Sequence, residues 1–339
     1  MGRRTGALMS DLTVCELGQS EWEHWDQWLA LQPWGSPFSA AWWLDANCRA
    51  FGGRPLLLGV LDRDQLVGGV ALRVMDVGPL HMVRSSMLYN PVVIAAGSAH
   101  SRQKVLGTLL EDVARRRLVV PPLTCTPDMV DLRQAVWHHW NMTAGWTVMS
   151  DLTTWTVEDV SRSEREKIKK SRRAEVTACI EPPDADLLYE LLQATMSRQG
   201  QSMRLTRGQL RTLIEAAGTH GMQTTVRDED GTPLSSGFDM SHGTRVAYDI
   251  WSGTSASGLA KGAAVARYVF RQRELRARGY EYLDWCGANL PGVSDFKLEF
   301  GGALTTRLAI SREPLWFRAL FPAYVRLSEL RGSLKQREG

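Results

Sequence analysis

The sequence predicts an α/β (α+β) chain made of two tandem units, and three observations point there. Its 339 residues exceed what one hydrophobic core commonly supports. Helical and strand patterns alternate along the chain. The order of elements (two helices, a meander of strands, a helix and a further strand) occurs twice, without residue-by-residue repetition. Apolar residues at 44% and charged residues at 23% are those of an ordinary globular protein. The net charge of +3 is too small to mark a nucleic-acid binder, yet it leaves room for a local basic patch.

In the first unit, helical spacing runs through SEWEHWDQWLAL (20–31) and FSAAWWLDANCRAF (38–51). Strand patterns follow in PLLLGVL (55–61), LVGGVALRV (66–74) and MLYNPVVI (87–94). SRQKVLGTLLEDVARRR (101–117) sets Val105, Leu106, Leu109, Leu110 and Val113 on one helical face and ends in arginines that suit a helix C-terminus. LVVPPLTC and WTVMSDLTTWTV (146–157) read as closing strands.

The second unit opens with the helix DADLLYELLQATMSRQ (184–199). Thr206 and Gln209 then form a capping box before TRGQLRTLIEAAG, which Gly218 ends. MQTTVRD, PLSSGFDM and TRVAYDIW read as strands joined by the turns EDG and SHG. The helix KGAAVARYVFRQRELRARG (261–279), the strand YEYLDWCG (280–287) and an FK-containing loop, DFKLEFGG (295–302), complete it. A last amphipathic segment, PLWFRALFPAYVRLSELR, predicts a helix within 313–332 whose apolar side needs a partner. The expected ranges are 10–155, with the last helix packed back on it, and 156–312.

Several function classes lack their anchors. No phosphate-binding P-loop, no G-x-G-x-x-G and no G-x-S-x-G occurs. No run of about 18 apolar residues occurs. MGRRTGALMSDL lacks the apolar stretch of a secretory signal, so it reads as a leader, with Met9 an alternative start. Cys15, Cys48, Cys125, Cys179 and Cys286 form no C-x-x-C pair, so neither a zinc site nor a disulfide framework is expected, and a reducing, cytoplasmic setting fits. The adjacent His138 and His139 cannot form an i, i+4 metal clip, and no metal is expected. Most of the 13 tryptophans are expected in the core.

Two features carry chemistry. SRSEREKIKKSRRAE (161–175) is strongly basic and reads either as a solvated helix face or as a polyanion contact through Lys169, Lys170, Arg172 and Arg173. Lys297 stands between Phe296 and a Gly-Gly turn, where a plain surface lysine is the default.

The block YLDWCGANLPGVSDFKLEFGG resembles the Fem family (FemAB/FemX) of aminoacyltransferases through Asp284, Gly287, Gly292, Phe296, Lys297, Phe300 and Gly301. REKIKKSRRAEV and SRQGQSMRLTRGQL are similar to that family's basic helix and mid-domain helix pair. The resemblance implies two tandem GNAT-like (acetyltransferase-fold) domains without a coiled-coil arm. It also implies transfer of an amino acid from aminoacyl-tRNA to an amine, on a peptidoglycan precursor or in natural-product biosynthesis.

Amide formation from an aminoacyl ester needs a positioned amine and a donor at the developing oxyanion. The resemblance assigns that donor role to Lys297, expected to be covered by Phe296 and Phe300. Asp284 has two readings, as a group handling the incoming amine or as an anchor for the next loop, and Asp249 is a second candidate base. Tyr248 and Trp251 line the acceptor site or the core, lying on opposite faces of their strand. Arg198 and Arg204 flank a segment suited to a phosphate or carboxylate. Asn289 is a further substrate contact and Lys261 a further phosphate contact.

No cofactor is expected, aminoacyl-tRNA being a co-substrate, and a monomer is. The loops IAAGSA, SASGLA and LAKGAA lack the Arg or Gln that leads acyl-CoA pyrophosphate loops, so CoA is not supported. The other readings are an acyl-CoA-dependent N-acyltransferase and a non-catalytic binder of a cell-envelope polymer or glycolipid.

Overall fold

The computed structural model describes residues 12–78, 80–85, 88–288, 291–313 and 317. The first half holds β1 (Leu12–Glu16), α1 (Trp22–Ala30), α2 (Ala41–Phe51), β2 (Arg54–Asp62), β3 (Gln65–Val77), β4 (Leu80–Arg84), β5 (Val93–Ile94) and α3 (Ala99–Arg115). Strands β1-β2-β3-β4 form an antiparallel sheet in that order, with β5 also paired to β3. Alternation along β2 and β3 puts Leu56, Leu58, Val60, Val70, Leu72 and Val74 on one face and Leu57, Leu66 and Ala71 on the other. Both faces are apolar, so both need cover. Val105, Leu106, Leu109, Leu110 and Val113 of α3 supply it on the first face, and Trp25 of α1 and Leu44 of α2 on the second.

The remainder holds β6 (Val120–Thr124), α4 (Arg133–Trp137), β7 (Asn141–Asp151), α5 (Arg162–Arg173), β8 (Thr177–Glu181), α6 (Ala185–Arg198) and α7 (Arg207–Ala217). It continues with β9 (Gly221–Arg227), β10 (Pro233–Ser241), β11 (Val246–Thr254), α8 (Ala256–Ala260), α9 (Ala263–Ala277), β12 (Tyr282–Asp284), α10 (Pro291–Leu298) and β13 (Ala303–Arg312). These strands form a second sheet in the order β6-β13-β7-β12-β11-β10-β9-β8. Its β11–β12 pair is parallel and the others antiparallel. Helices α6 and α7 cover one face through Leu188, Leu192, Leu210 and Leu213, and α9 covers the other through Val265, Tyr268 and Val269.

Sheet membership does not follow the expected 10–155 and 156–312 ranges. β6 and β7 precede residue 156 yet belong to the larger sheet, because strand pairing is set by hydrogen bonding across space. The sheets also meet: Val119, next to β6, bridges Met82 of β4. The helix expected within 313–332 lies outside the described residues, apart from Phe317, which is buried with Met82 and Val119. The longest helix among the described residues is α3, at 17 residues. None of these helices is long and apolar enough to cross a membrane.

Four local expectations change. Of the described residues within 87–94, only Val93–Ile94 is strand; Asn90 instead gives its backbone N–H to the Thr124 carbonyl. The strand expected over 146–157 starts at Asn141 and ends at Asp151, whose carboxylate takes the N–H of Thr153 and so closes a turn. The strand over 280–287 is limited to Tyr282–Asp284. The FK segment is a helix, α10, not a loop, and Gly301 (φ 79°) follows it.

A further correction concerns Tyr248 and Trp251. Pairing passes from Phe238–Trp251 to Asp239–Asp249, so Ile250 is an extra residue on β11. That bulge resets the alternation and puts both rings in one cluster with Phe238 and Leu210.

Helix α2 joins the two halves. The Trp42 ring stacks on His220 at 4.9 Å, and its indole N–H donates to Nδ1 of His242 at 3.4 Å. Nε2 of His242 donates to the Asp26 carbonyl at 2.9 Å, which fixes the neutral tautomer. A proton on Nδ1 would set two donors face to face. Burial lowers the pKa of His242, and burial with the neighbouring His242 lowers that of His220. Such groups bind more protons unfolded than folded. Their contribution is therefore present above the unfolded value of about 6.5 and is lost as pH falls through the lowered folded value. The thermal midpoint should fall as pH drops below about 6.5, and His242→Asn should flatten that slope. An unchanged slope would exclude His242 as its source.

Candidate functional site

The parallel ladder between β11 and β12 spans only Val246–Tyr248 against Tyr282–Asp284. β11 runs on to Thr254 while β12 stops at Asp284, so the two strands part at their C-terminal ends. Open α/β sheets place ligands beyond such ends. The chain that leaves β12, Trp285–Gly287, lies at this gap.

Asp284 is fully buried. Its Oδ2 accepts the hydroxyl of Tyr89 at 2.5 Å, and its Oδ1 accepts the hydroxyl of Thr147 at 2.5 Å and the N–H of Cys286 at 2.7 Å. Thr147 in turn accepts the N–H of Gly287 at 3.0 Å. Burial pushes the Asp284 carboxyl up, and the hydrogen bonds from Thr147, Tyr89 and Cys286 pull against that. Both oxygens are engaged by the protein, and the bond to Cys286 ties Asp284 to the loop that follows it.

Lys297 is aimed at that loop. Its Nζ donates to the carbonyls of Trp285 at 2.5 Å and Gly287 at 2.7 Å. An ammonium has three N–H donors, so one has no partner among the described residues. The expected aromatic cover does not form over it. Phe296 and Phe300 turn to α9 and pack on Tyr268 at 5.4 and 5.2 Å, because they share the apolar face of α10 and the residues just after it. Phe296 is thus a packing residue. Burial and the Asp284 charge push the Cys286 thiol well above its ordinary value, which disfavours the thiolate.

Asp249 is paired through one oxygen with a buried arginine. Arg271, fully buried on α9, lies 3.0 Å from Asp249 and 3.3 Å from Asp239. Arg267 sits beside this cluster, where a Cβ on Gly237 would come within 2.0 Å of its Nη1, so only glycine fits there. Arg271 also lies over the Trp285 ring at 4.4 Å, which braces the loop from behind.

The other expected contacts scatter. Tyr248 is fully buried, and Trp251 packs on Phe238 at 5.9 Å. Arg198 donates to the Thr254 carbonyl at 3.1 Å, a tie between α6 and β11. Arg204 is exposed on the bend before α7. Lys261 pairs with Asp228 at 3.3 Å, which holds the β9–β10 turn. Asn289 lies outside the described residues. On α5, Lys169 pairs with Glu166 at 2.7 Å, while Lys170, Arg172 and Arg173 are exposed and form no ion pair among the described residues. Three site residues were not anticipated: Tyr89, Thr147 and Arg307. They come from distant segments, and no local pattern ties them to Asp284.

The remaining phosphate-loop candidates differ. In α8 the amides of Gly258, Leu259, Lys261 and Gly262 already donate to Ser255, Ser257 or Leu259. IAAGSA instead borders a cleft of about 270 Å³ lined by Ile94, Gly97, Arg102 and Asp128. Among the described residues no group of three or more His, Cys, Asp or Glu could hold a metal ion.

The fold matches solved structures. FemX superposes with a TM-score of 0.70 at 13% identity, over 91% of this chain and 99% of that one. The fold is that of tandem GNAT domains. L-PGS from Bacillus licheniformis gives a TM-score of 0.53 at 12% identity, over 86% and 98% of the two chains. A tandem GNAT protein from the clavulanic acid biosynthesis pathway gives 0.52 at 12%, over 88% and 97%. At such identities the likeness is one of fold. No family model matches the chain, and no curated protein matches it in sequence.

Asp284→Asn would turn an amide donor towards groups that already donate. It should lower unfolding stability by about 1–3 kcal/mol in urea titration. A change within about 0.5 kcal/mol, typical of surface positions, would contradict the anchoring role.

Proposed function

We propose that this chain is an amide-forming aminoacyltransferase that takes an amino acid from aminoacyl-tRNA and gives it to an amine. The observation that carries this reading is the fixed ammonium of Lys297, held by two backbone carbonyls at the strand gap, with its third N–H unpartnered among the described residues. In the reaction the amine attacks the ester carbonyl, a C–N bond forms, and the C–O bond to the ribose breaks. The carbonyl oxygen gains negative charge in the transition state, and the third N–H of Lys297 is the group placed to meet it. The amine gives up a proton and the departing ribose oxygen takes one. Asp284 acts on Lys297 only through the loop.

Support for a tRNA donor comes from the exposed cations of α5 and from the likeness to FemX. The acceptor belongs to a peptidoglycan precursor or a natural-product amine, and the protein works as a cytoplasmic monomer. An acyl-CoA donor is the second reading, favoured by the likeness to the tandem GNAT protein from the clavulanic acid biosynthesis pathway, solved without AcCoA. The engaged amides of α8 count against it in the second half.

Lys297→Ala should reduce amide formation by about 100-fold or more, on the scale of losing one oxyanion donor, with the far-UV spectrum unchanged. Retained activity would remove Lys297 from the chemistry. With charged tRNA and candidate amines, ribonuclease should abolish product; product that survives, or that needs acyl-CoA, would sink the tRNA reading. The logarithm of tRNA affinity should fall linearly with that of salt. Lys170→Gln and Arg173→Gln should each lower the slope by about 0.7–0.9, and an unchanged slope would place the tRNA elsewhere.

A further inference from the structure

Arg307 on β13 is left unused by the chemistry above. It is 9% exposed, and neither its Nε nor its Nη1 has a hydrogen-bond partner. Arg73, Arg267 and Arg271 also keep nitrogens without a partner, but each has at least one acceptor: Arg73 the Gly52 carbonyl, Arg267 the hydroxyl of Thr224, and Arg271 two carboxylates. Among the described residues Arg307 has no hydrogen-bond acceptor; the ring of Tyr89 lies 5.1 Å from its guanidinium carbon, and the Asp284 carboxylate acts on it through its charge. Its Nη2 lies 3.5 Å from where a Cβ would stand on Gly287, a residue at φ 100°. The carbonyl of that same Gly287 holds Nζ of Lys297 at 2.7 Å.

Two cations therefore flank one peptide. The nearby carboxylate, Asp284, already accepts from Tyr89, Thr147 and Cys286. Even with Asp284 ionised, these three groups carry an excess of positive charge. A buried guanidinium without an acceptor is costly to keep, and an oxyanion on its planar fork removes that cost.

We propose that Arg307 is the anion-binding residue of this site, taking a carboxylate or phosphate oxyanion of a ligand beside Gly287. Binding of the anion stands on the geometry. Only the identification of that anion as part of a transfer substrate rests on the aminoacyltransferase reading. The rigid fork orients the ligand, while Lys297 faces the group beside it.

The test uses the whole chain with 15N-labelled arginine. The Nε–H resonance of Arg307 is the one missing from the spectrum of Arg307→Lys. Inorganic phosphate and N-acetylglycine are titrated separately. A saturable shift of this resonance is expected with one of them, and which one assigns phosphate or carboxylate chemistry. The same anion should raise the thermal midpoint of the native chain, less so that of Arg307→Lys, and not that of Arg307→Met. If the resonance is unmoved by both anions, the proposal is overturned, because buried water then satisfies the guanidinium. That readout is taken on the native chain, so a poorly folding Arg307→Met does not affect it. Failure of the ribonuclease experiment would leave anion binding intact, whereas an unmoved resonance would overturn it whatever the donor proves to be.

Discussion

A carboxylate with no solvent contact, Asp284, sets the geometry on which the candidate site depends. Taking such a group out of water is favourable only when hydrogen bonds replace the lost hydration. Here the donors come from three places: Tyr89 before the second sheet begins, Thr147 on β7, and the backbone of Cys286 just past β12. Satisfying one charge thus pins three segments. The two carbonyls that hold Lys297 belong to Trp285 and Gly287, in the same short stretch. The position of the ammonium follows from the burial of the carboxylate.

A second buried ionic group supports the loop from the other side. Arg271 lies between Asp239 and Asp249 and stacks on Trp285, and burial raises the Asp239 carboxyl against the pull of Arg271. Breaking a pair of this kind is expensive, because the remaining charge stays buried. Electrostatic stabilisation of a transition state depends on such fixed donors, since little reorganisation is left for the moment of reaction.

Much of the layering was legible because it is written in short-range periodicity. Apolar runs in 55–61 and 66–74, and the leucine spacing of α3 and α6, located strands and helices. The capping box at Thr206 and Gln209 opens α7 where it was expected. The FK segment was misread as a loop because its two closing glycines outweighed the i, i+4 spacing of Phe296 and Phe300, which sets both rings against α9. Tyr248 and Trp251 were misplaced because one extra residue, Ile250, reverses the parity on which facing arguments rest.

The site divides in the same way. Lys297 and Asp284 stood out through a local run of residues matching a known pattern. Their roles did not, because a role depends on partners: Asp284 is held by Tyr89, Thr147 and Cys286, and Asp249 is paired with an arginine on α9. Tyr89, Thr147 and Arg307 lie 195, 137 and 23 positions from Asp284 in the chain. Local pattern decides which face of an element is apolar, since that follows from the pitch of a helix or the pleat of a strand. Which charge meets which is decided only when elements distant in the chain pack together, because electrostatics and hydrogen bonding act through distance in space and carry no record of distance along the chain.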